Sequence, residues 1–108
     1  MSVGKASKEG YIKAIEGIER KTLVHGVRTL LTEFKLEGGK TLPMHNHPQE
    51  QTGYLAAGHI ALTIGGVEHD IMPGDAWTIP ADVVHGARIF ENSVAIEVFS
   101  PIREDYLP

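Results

Sequence analysis

Cysteine is absent from the 108 residues, which excludes thiolate metal sites, disulfide staples and cysteine nucleophiles. No apolar run approaches the roughly 18 to 20 residues that a membrane helix needs. Nor is there an excess of positive charge: Lys and Arg number 10 against 14 Asp and Glu, a formal net charge of −4. A duplex-binding surface is basic and clustered, so nucleic acid is not an expected partner. The first twenty residues also lack the continuous apolar segment of a signal peptide. Lys5, Lys8, Glu9, Lys13, Glu16, Glu19 and Arg20 interrupt them. The expectation is a cytoplasmic protein with no membrane partner.

What the chain does contain is punctuation, with twelve glycines and six prolines at short intervals. That composition suits many short strands and turns better than a helical bundle. The length is that of one domain, read as an N-terminal arm over residues 1–10 and a folded unit over 11–108. Tyr11 to Leu23 is ambiguous, with Ile12, Ile15 and Ile18 at helical spacing but Gly10 and Gly17 interrupting; strand is expected from about Ile18, and again over Val27 to Leu36, ended by Gly38 and Gly39. Tyr54 to Ala57 reads as a strand closed by Gly58. Ile60, Leu62 and Ile64 alternate with Ala61 and Thr63 before the two-residue turn Gly65-Gly66, and Val67 to Ile71 returns antiparallel. Pro73-Gly74-Asp75 leads into Ala76 to Ile79, which Pro80-Ala81-Asp82 breaks. His85 to Phe90, a Glu91-Asn92 turn and Val94 to Phe99 are expected as a last hairpin. Short antiparallel strands without a helix leave a sandwich, jelly roll or small barrel.

Chemistry is concentrated between Gly39 and Gln51. His45 and His47 are two apart, so on an extended backbone both imidazoles face the same way. Paired imidazoles suit a divalent transition metal, Gln51 offers an amide oxygen four residues on, and His85 follows much later. Alone, a His-x-His pair is also compatible with two surface residues on a strand. His25, His59 and His69 lie near turns or on polar-facing positions and are expected to be solvated.

Gly39-(five)-His45-x-His47-(three)-Gln51-(six)-Gly58 resembles the first motif of the cupins, and Gly74-(five)-Pro80-x-Asp82-(two)-His85 resembles the second. The resemblance runs from about Val27 to Phe99. It implies an all-β double-stranded β-helix, the jelly-roll cupin barrel, with a metal held by His45, His47, Gln51 and His85. Zn, Ni, Fe, Mn and Co all suit such ligands. Two positions depart from the pattern: Asp82 stands where the second motif prefers Gly, and Ile89 where it prefers Asn. A neutral Gln51 leaves the full charge on the ion, which favours Lewis-acid or proton-transfer chemistry over oxygen activation.

The segment Glu97 to Leu107 resembles the tail of the small pectin-degradation cupins, which open 4,5-unsaturated uronates to linear keto forms. That resemblance implies that Glu97, Phe99 and Arg103 line a pocket beside the metal. The family more usually carries Asp at the position of Glu97, and the stretch between His47 and Gln51 is one residue shorter than in some members. Glu97 and Phe99 share parity opposite Val94, Ile96 and Val98. If the second set packs a core, Glu97 faces elsewhere. A carboxylate there suits general acid or base work, and the planar fork of Arg103 suits a substrate carboxylate. The plainer alternatives are an exposed Glu97, a core Phe99 and an Arg103 in a solvated charged tail. Tyr54 and Trp77 either line the cavity or pack the barrel.

The expected function is therefore a metal-dependent isomerase or lyase acting on a small carboxylated sugar. Alternatives are dioxygenase, lyase or polyketide cyclase chemistry on the same ligands, or a non-catalytic module that binds a small ligand. The further partner expected is a second copy of the chain, because a small sheet protein gains by covering an edge or outer face.

Overall fold

A computed structural model describes all 108 residues. Eight strands follow one another in the chain: β1 Ile12–Ile15, β2 Ile18–His25, β3 Leu30–Leu36, β4 Thr41–His45, β5 Glu50–Ile64, β6 Val67–Ile71, β7 Ala76–Ile79 and β8 His85–Ser100. There is no α-helix, only a 3-10 turn at Glu104–Tyr106, and no helix is long and apolar enough to cross a membrane. All pairings are antiparallel, in the order β1-β2-β3-β8-β5-β6, with β4 joined to β8 and β7 to β5. This is the all-β jelly-roll barrel expected from the two motifs.

The two long strands organise the barrel. β5 and β8 pair along their whole lengths, from Glu50 opposite Ser100 to Ile64 opposite His85. Between Leu55 and Ile60 the register shifts repeatedly, and these bulges change which parity faces inward. Gln51, Gly53 and Leu55 are buried before the bulges, and Ile60 and Leu62 after them. Gly58 sits in this bend at φ +98°, where a Cβ would lie 2.0 Å from Ser93 Oγ. A side chain is thus barred by both conformation and space.

On four points the structure settles or corrects the sequence pattern. First, Glu91-Asn92 is not a hairpin turn, because β8 runs unbroken from His85 to Ser100. The polar pair marks where β8 exchanges partners, from β4 over residues 85–88 to β3 over 93–99. The loop before β4 satisfies the crossing: Gly38 N donates to Asn92 Oδ1 at 2.9 Å and Gly39 N to the Ile89 carbonyl at 2.7 Å. Second, the inward face of β8 carries Ala95, Glu97 and Phe99, whereas Val94, Ile96 and Val98 are half-buried on the other face. Third, β3 begins at Leu30; Val27 lies in the preceding turn, almost fully exposed. The strand from Tyr54 likewise continues through Gly58 instead of closing there.

The turn Gly65-Gly66 forms as expected, with φ of +55° and +84° and Ile64 opposite Val67. Positive φ at both central residues is the signature of the tight turn that matches strand twist. The core behind the site comprises Ile18, Leu36, Leu55, Ile60, Leu62, Ile71, Trp77, Ile79, Ala87, Ile89 and Ala95. Ile89, one of the two departures from the cupin pattern, is plain core at this position.

Candidate metal centre

Three elements deliver the histidines. His45 ends β4, His47 lies two residues beyond it, and His85 opens β8 directly opposite His45. Cross-strand pairing, and not a shared strand face alone, brings the rings together. Ring centroids of His45 and His85 are 4.2 Å apart, and those of His47 and His85 5.0 Å. One ring nitrogen of each of the three lies within 4.8 Å of the other two.

Backbone carbonyls fix which nitrogen that is. His45 Nδ1 lies 2.8 Å from the Pro43 carbonyl, His47 Nδ1 3.0 Å from that of Gln49, and His85 Nδ1 2.9 Å from that of Val83. A carbonyl only accepts, so each Nδ1 carries the hydrogen and each Nε2 keeps its lone pair. The loop of His47 is held by Asp82, whose N–H donates to the His47 carbonyl at 2.9 Å. Asp82 itself has φ +64°. That conformation accounts for the Gly expected there, and Asp is among the few residues that tolerate it.

Gln51 completes the group from β5. Its Oε1 lies 2.9 Å from His47 Nε2, while its Nε2 donates to Glu97 Oε1. Two lone-pair-bearing atoms therefore face each other with no hydrogen between them. Such an arrangement is unfavourable by itself and becomes favourable beside a cation. The donor set of three neutral imidazoles and an amide oxygen fits a divalent transition metal. Burial favours the neutral form of two of them further. It pushes His85 down to about 4, and with the nearby Arg103 charge it also holds His47 below the usual histidine range.

A cavity of about 320 Å³ opens beside this group, lined by His45, Gln51, His85, Glu97, Phe99 and Arg103, over a floor that includes Phe34, Ile60 and Leu62. Glu97 is buried, accepting from Gln51 and, at 2.9 Å, from the indole N–H of Trp77. Burial raises its carboxyl above the ordinary range, opposed by those two hydrogen bonds and by the Arg103 charge. Its second oxygen forms no hydrogen bond within the protein. Phe99, 1% exposed, packs edge-on against His47 with ring centroids 5.6 Å apart.

Arg103 does not sit in a free tail. Tyr106, three residues on, stacks between the guanidinium groups of Arg20 and Arg103, each 4.0 Å from its ring centre. The Tyr106 carbonyl accepts from Thr22 Oγ1, and that of Asp105 from Arg20 at 3.3 Å. β2 thus pins the tail beside the cavity, with Arg103 and Tyr106 in its lining and the Arg103 side chain 16% exposed.

Of the remaining residues singled out in the sequence, Tyr54 is half-exposed on the outer face and does not line the cavity. Trp77 does line it, and its bond to Glu97 was not legible from residue type. His25 and His69 are exposed, as expected. His59 is a correction: it is only partly exposed, lies 2.5 Å from Asp70 Oδ1 and packs on Phe90.

Comparison with known proteins agrees with the fold. The family model described as "Cupin domain" matches residues 32–99. The chain is 31% identical over 94 residues to the pectin degradation protein KdgF of Dickeya dadantii, covering 85% of this chain and 86% of that one. It superposes on the structure of KdgF from Halomonas sp. with a TM-score of 0.92 and 29% identity, covering 99% of both chains. An RmlC-like cupin from Shewanella frigidimarina follows with a TM-score of 0.87 and 25% identity, over 93% of this chain and 90% of that one.

Proposed function

This chain belongs to the family of cupin domains, and we propose that it is a metal-dependent enzyme that opens a 4,5-unsaturated uronate to its linear keto form. One observation carries the reading. The cavity is lined both by members of the metal-binding group, His45, Gln51 and His85, and by Glu97, Phe99 and Arg103. The relative named for pectin degradation supports the substrate class.

The opening is an isomerisation and needs no co-reactant. The anomeric hydroxyl loses its proton, the bond from C1 to the ring oxygen breaks as the C1 carbonyl forms, and the enol at C4=C5 gains a proton at C4. A bound divalent ion supplies Lewis acidity toward a hydroxyl or carbonyl oxygen. Glu97, whose second oxygen is uncommitted, moves the proton. Arg103 holds the substrate carboxylate with the N–H groups left over from its tail contacts. Phe99 excludes water from the inner wall. As a partner we propose a second copy of the chain; sedimentation at micromolar concentration should then give twice the 11.8 kDa chain mass, and a monomer would remove that proposal.

The deciding experiment follows the vinyl proton of 4,5-unsaturated galacturonate by NMR. Accelerated loss with metal-loaded protein, absent in His85→Ala, is the expected result. No acceleration with Zn, Ni, Fe, Mn or Co would overturn the substrate assignment.

A further inference from the structure

Three neighbouring strands place Trp77, Gly53 and Glu97 in one row on the inner face: Gly53 of β5 pairs with Trp77 of β7 on one side and with Glu97 of β8 on the other. The indole crosses the middle of that row. A Cβ on Gly53 would lie 2.2 to 2.5 Å from three indole atoms, Nε1 among them, so the side chain occupies the space that a missing side chain vacates. Crossing there lets Nε1–H donate to Glu97 Oε1 at 2.9 Å. The same carboxylate oxygen accepts from Nε2 of Gln51, whose Oε1 faces His47.

An amide side chain is nearly symmetric in shape, and a half-turn of Gln51 about its last bond would offer the centre an N–H in place of a lone pair. Such a donor repels a cation. The acceptor oxygen of Glu97 discriminates between the two orientations, because only one of them directs an N–H toward it. A carboxylate held by a single contact swings; one bonded also to an indole wedged against bare backbone does not. We infer that Trp77, seated across Gly53, is a positioning residue that acts through Glu97 to lock the Gln51 amide with its oxygen toward the metal centre. This rests on the metal reading proposed above.

The test measures Zn(II) affinity by calorimetry, on variants shown by circular dichroism to be folded. Trp77→Phe should weaken binding about tenfold, as loss of an outer partner of a ligand typically does. In a Gln51→Ala background the same substitution should change affinity by less than about twofold, since no amide remains to orient. Glu97→Gln retains an acceptor oxygen and should hold affinity within about threefold, while Glu97→Ala loses about tenfold. Undiminished affinity in Trp77→Phe, an equal loss in both backgrounds, or equal losses in the two Glu97 variants would overturn the inference. Native protein that takes up none of Zn(II), Ni(II), Mn(II) and Co(II) would instead overturn the metal reading, and this inference with it.

Discussion

Arg103 donates from three nitrogens to its own tail, from Nε and Nη2 to Asp105 and from Nη1 to Tyr106. Nη1 and Nη2 each retain one N–H for a further acceptor. Replacing Arg103 with Ala is expected to raise KM for a carboxylated substrate at least about tenfold, the scale of one lost hydrogen bond to a charged group. Steady-state kinetics check this, and an unchanged KM removes Arg103 from the binding site. The candidate metal-binding group was legible in the sequence because its pattern is local: His45, His47 and Gln51 lie within seven residues, and the glycine-framed second motif carries His85. The bond from Trp77 to Glu97 was not legible. It depends on Trp77 facing Gly53, and a register between strands that are 24 positions apart leaves no mark on residue type. The useful signal was Gly53 itself, two residues after Gln51 on the same face of a strand, where a missing side chain implies a close neighbour.

Among the strands, β5 depends most on one residue. Gly58 combines φ +98° with a Cβ position 2.0 Å from Ser93 Oγ and 2.5 Å from Ser93 Cα. Gly58→Ala should therefore destabilise the fold by about 3 kcal/mol, through strain and displaced backbone together. Urea unfolding measures the loss, and an unshifted midpoint would show that the bend is soft. Strand positions were readable where turns are local, as at Gly65-Gly66. They were misread where the deciding contact is remote. Glu91-Asn92 looks like a turn because its partner, the backbone at Gly38, is more than fifty positions away. The inward face of β8 was also ambiguous: Val94, Ile96 and Val98 are as apolar as Ala95 and Phe99, so alternation alone does not choose a side.

For the molecule as a whole, burying neutral histidines makes stability depend on pH. The native state of the metal-free protein holds His85 near 4, whereas an unfolded histidine titrates at about 6.5. Between these values the unfolded chain binds a proton that the native chain refuses, so stability rises with pH across the window. The contribution is present above about 6.5 and lost as pH falls toward 4. Thermal melts of metal-free protein should show that slope, and His85→Phe should flatten it; a native profile that is flat from pH 6.5 to 4 would contradict it. One ring nitrogen of each of His45, His47 and His85 lies within 4.8 Å of the other two, with the Gln51 amide oxygen 2.9 Å from that of His47, and every functional statement depends on that convergence. The most direct test is metal stoichiometry by equilibrium dialysis, offering Zn, Ni, Mn and Co in turn to the native protein and to His85→Ala. The expected result is one ion per chain in the native protein, with affinity at least about a hundredfold weaker in the variant. Native protein that retains no ion, or a variant that binds as tightly as the native chain, would contradict it.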